Sequence, residues 1–230
     1  MDVRTQVAQA CNILSMEGHD DTIYGHVTAR IEGTMHIWMK PHTLGLEEVR
    51  SHDVLTLDLD GNKLAGELPR HSEFPIHTEI YRRRADVQCV IHTHPPYATA
   101  FSAVDTPLRP VNHEGTLFTP TLPRFVQTSD LIVSQELGQA VAETLAGHNA
   151  LLLKNHGIVV VGRSIEEACV SAILLEKAAR MQLLAEQYGD IEWTSEAEAL
   201  QKKQRMYPPE AFTLMWAYFL RKLMRSGALP

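Results

Sequence analysis

The sequence predicts an α/β sandwich in which a mostly antiparallel sheet is covered by helices. Two observations carry that reading. Helical periodicity and short apolar runs follow one another as helix, strand meander, helix, strand, helix, strand pair, helix, helix. No internal repeat, low-complexity tract or linker divides the 230 residues, a length suited to one core. The expectation is therefore a single domain over 1–230, with a helical tail at about 190–230 as its only separable piece.

Each element has its own signal. Val3, Val7, Cys11 and Leu14 share one face of a helix over Asp2–Glu17, which Gly18 closes. Ile23–Arg30, Thr34–Lys40 and Val54–Leu59 read as strands, and the last meets an Asp60-Gly61 turn before Lys63-Leu64-Ala65. Asp58, Asp60 and Asn62 lack the glycine and terminal glutamate spacing of a calcium loop, so they read as that hairpin's turn. Ser72–Arg84 is helical, Val87–His92 is a buried strand, and Tyr97–Ser102 is a short helix after Pro95-Pro96. Ala103–Phe125 carries Pro107, Pro110, Pro120 and Pro123 and reads as a long loop with room for one short strand. Ser129 is placed to cap a helix ending at Leu145 before Gly147. Two apolar strands follow, Ala150–Lys154 and Gly157–Val161. Ser164 and Glu167 form a capping box that opens a long helix from Ile165 to about Tyr188. A last helix spans Glu210–Arg225, and its Phe212, Trp216, Tyr218 and Phe219 suit packing on the core, lining a site or contact with another subunit.

Composition excludes several classes of function. A net charge of −7 offers no electrostatic footprint for nucleic acid or anionic membrane, and no apolar run approaches a membrane span. Cys11, Cys89 and Cys169 are too widely spaced for a disulfide framework, and the N-terminus has no signal-peptide pattern, so the cytoplasm is the expected compartment. Histidine is abundant, with 12 in the chain, and it is the side chain most used for metals and for proton transfer near neutral pH.

Two histidine motifs stand at the ends of apolar strands. His92-Thr93-His94 places two imidazoles on one face, about 7 Å apart along a strand. Leu151-Leu152-Leu153-Lys154-Asn155-His156-Gly157 delivers a third histidine, with Gly157 permitting a sharp turn. Three imidazoles around a divalent cation with open positions would form a Lewis-acid site, although a histidine at a strand end is often an ordinary satisfied polar residue. Glu73 opens a helix and would serve as an acid/base if that helix start faces the histidines. His77 reads as structural, and His19, His36, His52 and His148 as surface residues. His113-Glu114-Gly115, Arg124-Phe125, Tyr207 and Trp216 could contribute to a site, with ordinary loop polarity or packing as the competing reading.

The arrangement resembles the class II aldolase/adducin family. The resemblance rests on Gly25-His26-Val27-Thr28-Ala29-Arg30, Lys40-Pro41-His42-Thr43-Leu44-Gly45, Ser72-Glu73, His92-Thr93-His94-Pro95 and Lys154-Asn155-His156-Gly157. It implies a three-layer α/β/α sandwich around a central mostly antiparallel sheet. It also implies a homotetramer with its active site at a subunit interface. It further implies one divalent metal ion per subunit on His92, His94 and His156, with Glu73 as catalytic acid/base for carbon–carbon cleavage of a small-molecule substrate. Zn²⁺ and Mn²⁺ head the expected metals, and Fe²⁺ and Co²⁺ are compatible with imidazole donors.

The departures from the sugar-phosphate members are chemical. An asparagine of their phosphate cradle is His26 here, a Thr-Pro-Thr-Gly stretch is Lys40-Pro41-His42-Thr43, and the serine before Ser72 is His71. With Arg30, these residues make a more basic pocket, suited to a planar carboxylate or phenolate. That points to the family's metal-dependent decarboxylases of hydroxylated aromatic or heteroaromatic acids. The alternatives are a fuculose-phosphate-like aldolase or epimerase acting on a sugar phosphate, and a non-catalytic adducin-like interaction module.

Overall fold

The structure, a computed structural model, describes residues 2–227. Helix α1 (Val3–Leu14) starts behind Asp2, whose carboxylate accepts from the Arg4 amide at 3.3 Å. It runs into a π turn over Ser15–His19, where Gly18 has φ +89°, a conformation only glycine takes without steric cost. A meander follows, formed by β1 (His26–Arg30), β2 (His36–Met39), β3 (Leu55–Asp58) and β4 (Lys63–Ala65). Then come α2 (Phe74–Arg83), β5 (Cys89–Thr93), α3 (Pro96–Ser102), α4 (His113–Thr116), β6 (Arg124–Phe125) and α5 (Gln135–Leu145). The hairpin β7 (Ala150–Leu153) and β8 (Gly157–Gly162) precedes α6 (Ile165–Glu186), α7 (Glu196–Met206) and α8 (Pro209–Arg225).

The eight strands form one sheet in the order β4-β3-β2-β1-β5-β8-β7-β6. Every pairing is antiparallel except β6 with β7. Successive strand residues face opposite sides, and this alternation divides the core. Val27, Ala29, Cys89, Ile91, Ile158 and Val160 pack under α1, α3, α6 and α8. Ile37, Leu57, Val90, Leu151, Val159 and Val161 pack under α2 and α5. The result is the three-layer α/β/α sandwich. The tail belongs to the first of these layers: Phe212, Trp216, Phe219 and Leu223 of α8 are buried there. Glu17 on the π turn ion-pairs with Lys222 of α8 and lies 4.0 Å from Lys177 of α6. Among the described residues, no helix is long and apolar enough to cross a membrane.

Several local expectations are corrected. The helix expected from Ser129 begins at Gln135, because Ser134, not Ser129, caps it by accepting from the Leu137 amide. Residues 129–134 are loop, with Leu131 and Val133 exposed and Ile132 buried. At the other end Ala146, not Gly147, takes the left-handed stop, at φ +46°. Only half of the capping box at α6 forms: Ser164 accepts from the Glu167 amide, but the Glu167 carboxylate turns to the Arg163 amide and guanidinium. Helices α4 and α7 were not expected. The first is a single turn, and the second has an almost wholly polar sequence with only Ala199 buried. His19, read as a surface residue, is fully buried because the π turn folds it inward onto Thr93 at 2.9 Å.

The β7–β8 turn differs in mechanism from the expectation. The left-handed residue is Asn155 at φ +56°, which asparagine tolerates. Gly157 matters instead because β8 passes close to β5. A Cβ there would lie 2.5 Å from the Thr93 carbonyl oxygen and 2.7 Å from the His94 ring. Gly157→Ala is therefore expected to destabilise the protein by about 1–3 kcal/mol, the usual cost of overpacking. Denaturant unfolding monitored by circular dichroism measures it.

Candidate functional site

The pairing of β1 with β5 puts His26 directly opposite His92, so both imidazoles leave the same face of the sheet. Their ring centroids are 4.9 Å apart. The Asn155 turn brings His156 to the same strand end, with its ring 4.9 Å from that of His92 and 5.3 Å from that of His94. Glu73 is the residue that precedes α2, at its N-cap position. From there its Oε2 lies 3.8 Å from His92 Nε2 and 4.0 Å from His26 Nε2, and its Oε1 lies 3.6 Å from His156 Nε2. The Ile132 amide donates to Glu73 Oε1 at 2.8 Å, which holds the carboxylate in place. This contact comes from the loop before α5, a segment read as helix from its sequence.

Hydrogen-bond partners define the tautomers of two imidazoles. His92 Nδ1 donates to the Ile158 carbonyl at 2.9 Å, and His94 Nδ1 donates to Asp21 Oδ2 at 2.8 Å. A carbonyl and a carboxylate only accept, so each neutral ring carries its proton on Nδ1. The two Nε2 atoms are then bare, and they face each other at 3.0 Å. Two opposed lone pairs at that distance repel, and a cation between them removes the repulsion. One ligand atom from each of His92, His94 and His156 lies within 4.8 Å of the others, and so does one from each of His26, Glu73 and His92. The first set suits a divalent transition metal. Burial also suits the purpose: it pulls His92 well below the usual imidazole range and His156 down to about 4, with neighbouring imidazoles adding to both. Neutral imidazole is the ligating form. Burial raises the Glu73 carboxyl above its ordinary value, against the Ile132 amide.

Beside this cluster is a second, basic one. The His71 ring lies 4.3 Å from that of His26 and 4.9 Å from that of His42. Lys40 is fully buried; its Nζ donates to the Ile23 carbonyl at 2.9 Å and lies 3.4 Å from His71 Nε2. No carboxylate of the described residues stands within ion-pair distance of it, and burial pulls the ammonium down to about 8. Burial, then Lys40 itself, brings His71 down to about 2. Ser72 is exposed between His71 and Glu73.

Other residues are not brought to the site. Arg30 stands at the far end of β1 from His26, and its guanidinium is spent on the carbonyls of Val87, Tyr81 and Arg84, where α2 ends. It closes that helix terminus and does not face the histidines, which corrects its expected place in the substrate pocket. Arg124 donates to the Ser102 carbonyl and Phe125 is core. His113 is on α4, where its carbonyl accepts from the Tyr207 hydroxyl at 3.1 Å, and Trp216 packs in the core.

His77 holds more than a structural place. Its Nε2 is 2.6 Å from His26 Nδ1 and its Nδ1 is 2.7 Å from Thr28 Oγ1, which is itself 2.9 Å from the Tyr81 hydroxyl. The spacing explains the contact: positions i and i+2 of β1 meet positions i and i+4 of α2. The signal lay in His26-x-Thr28 and His77-x-x-x-Tyr81, two polar pairs at strand and helix spacing, but only the packing of α2 on β1 shows that they match.

This architecture and histidine cluster define a class II aldolase-type domain. The L-fuculose 1-phosphate aldolase from Glaciozyma antarctica PI12 superposes with a TM-score of 0.87 at 26% identity, covering 97% of this chain and 89% of that one. Residues 5–183 match the family described as Class II Aldolase and Adducin N-terminal domain, and the chain belongs to that family. The 3,4-dihydroxyphthalate decarboxylase of Arthrobacter keyseri is 30% identical over 195 residues, 78% of this chain and 77% of that protein. An L-fuculose phosphate aldolase of Methanococcus maripaludis is 31% identical over 182 residues, 78% of this chain and 96% of its own length.

Thr28→Val tests the buried network. It keeps the shape but leaves His77 Nδ1 and the Tyr81 hydroxyl without this partner, at an expected cost of about 1–3 kcal/mol. Urea denaturation of the variant against the unaltered protein reads it.

Proposed function

We propose that this protein is a divalent-metal-dependent carbon–carbon lyase that decarboxylates a hydroxylated aromatic or heteroaromatic carboxylic acid. The observation that carries the reading is Lys40. A buried ammonium without a contacting ion-pair partner is costly. The charges of Glu47 and Glu48 act on it only from beyond ion-pair distance, and it stands with His71 and His42 next to the Glu73 and histidine cluster. A substrate carboxylate would supply that partner. The similarity to a dihydroxyphthalate decarboxylase supports the same substrate class.

His92, His94 and His156 would hold the metal. When bound, it supplies positive charge for the substrate's oxygens and so favours electron flow out of the breaking bond. Lys40, His71 and His42, with His26 and Ser72 at the edge, bind and orient the carboxylate. The carbon–carbon bond breaks, carbon dioxide leaves, and the electron pair passes into the ring. Glu73 then delivers a proton to the ring carbon. Its raised pKa keeps a larger fraction protonated, and the Ile132 amide on Oε1 leaves Oε2 directed at the cleft. Water restores the proton to Glu73.

A second reading is retro-aldol cleavage of a sugar phosphate, which the Methanococcus relative favours. Lys40 and the imidazoles would then hold phosphate. A non-catalytic adducin-like module ranks below both, because the histidine cluster and Glu73 are all present and assembled. A homotetramer with the site at a subunit interface is part of this proposal. Exposed Tyr24, Leu131 and Val133 supply apolar surface suited to such contact.

Two measurements test it. Gently purified protein is expected to carry about one divalent ion per chain, and His92→Ala to lose it; metal analysis showing the same content in both would sink the site. Incubation with hydroxylated aromatic dicarboxylates is expected to release carbon dioxide, with Glu73→Gln slower by roughly 10²–10⁴-fold and Lys40→Met raised chiefly in KM. Cleavage of L-fuculose 1-phosphate without any carbon dioxide release from aromatic acids would replace decarboxylation by the aldol reading.

A further inference from the structure

The turn that ends α1 carries two of the contacts that hold the His92-Thr93-His94 strand end. His19, fully buried, reaches Thr93 Oγ1 through Nδ1 at 2.9 Å. Two residues later, Asp21 Oδ2 accepts from His94 Nδ1 at 2.8 Å. One short stretch of chain therefore grips two consecutive residues of the strand end, and the π turn over Ser15–His19 is what aims it there.

Of the two contacts, the one to His94 carries chemical information. His92 and His94 reach the cleft by different means. His92 is a strand residue, fully buried, and its Nδ1 is fixed by a main-chain carbonyl across the β5–β8 ladder. His94 lies beyond the end of β5 and is partly exposed, so the sheet does not orient it. Its ring is placed by the Asp21 carboxylate, with a side-chain exposure of 15% for the histidine against 41% for the aspartate. We propose that Asp21 is a positioning residue for the metal centre: it locks His94 as the Nδ1–H tautomer and presents Nε2 bare toward His92 and His156. A carboxylate in this place does more than a carbonyl could. It fixes the ring plane and also adds a negative charge behind the ligand, which makes Nε2 a better electron-pair donor.

This inference rests on the proposed metal centre, so the test separates the two. Zn²⁺ dissociation constants are measured by competition with a chromophoric chelator, using full-length metal-stripped protein. The set is the unaltered protein, Asp21→Ala, Asp21→Asn and Asp20→Ala, the last removing an exposed neighbouring charge that makes no bond to His94. Asp21→Ala is expected to weaken Zn²⁺ binding roughly 10–100-fold. Asp21→Asn, which keeps an acceptor oxygen but not the charge, should fall between, and Asp20→Ala should stay near the unaltered value. The visible ligand-field absorption of the Co²⁺-loaded proteins is the second readout. It should shift in Asp21→Ala and recover in part in Asp21→Asn, whereas a general loosening of the fold would appear in the thermal unfolding of all metal-stripped forms. Unchanged Zn²⁺ affinity and Co²⁺ spectrum in Asp21→Ala, or an equal loss in Asp20→Ala, would overturn the role of Asp21 alone. Failure of the unaltered protein to bind Zn²⁺ or Co²⁺ would overturn the metal centre, and this inference with it.

Discussion

The in-register antiparallel pairing of β1, β5 and β8 is the constraint on which the rest of the structure depends. It puts His26 opposite His92 and lays the Ile158 carbonyl beside His92 Nδ1. A one-residue slip in either pair would turn every side chain of the shifted strand to the other face. His92 would then point into the apolar layer of α1 and α6, and Val90 would leave its place under α2. The core alternation therefore defends the register: Cys89 and Ile91 belong to one apolar layer and Val90 to the other. The same hydrophobic burial that stabilises the sandwich thus holds the imidazoles in place.

Burying so many polar groups at one end of a sheet demands partners for each. For His92, His26 and the Thr93–His94 strand end the partners come from three separate directions. The β5–β8 ladder serves His92, the α2–β1 interface serves His26 through His77 and Thr28, and the turn after α1 serves Thr93 and His94. Glu73 is served from a fourth, the loop before α5. Each contact consumes the outer side of a functional group and leaves the inner side toward the cleft. Lys40 is the exception. Its nearest partners are a carbonyl and an imidazole, neither of which neutralises an ammonium. Under the proposed function, that charge waits for a substrate anion.

Much of the fold was legible along the chain. Alternation and apolar runs identified every long strand, because a strand buried on one or both faces leaves its period in the sequence. Glycine and proline marked most boundaries. One boundary failed at α5: Ser129 was read as its cap, whereas Ser134 caps it and the Ile132 amide, left outside the helix, donates to Glu73. Helix α7 was missed because a helix exposed on most of its surface has little apolar period to read. Arg30 was read as a substrate ligand because it follows a functional motif on the same strand. The four-residue step from His26 to Arg30 carries it about 13 Å away, to the carbonyls at the end of α2.

By itself the sequence determined the chemistry available: two strand-end histidine motifs, a glutamate at a helix start, a lysine after a strand, and the alternation that builds a three-layer sandwich around them. These are local properties, written in residue type and spacing. The tertiary structure alone decided which groups face each other and which nitrogen of each ring is free. Asp21, Thr28, His77 and the Ile132 amide act on residues 51 to 73 positions away, or across a strand-to-helix contact. Asp21 and Ile132 leave no periodic trace of their partners, and the His26-x-Thr28 and His77-x-x-x-Tyr81 spacings do not by themselves show that the two pairs match. Their pairing follows from chain packing, which brings a carboxylate, a hydroxyl and a main-chain N–H to imidazoles and a glutamate that could not be buried without them.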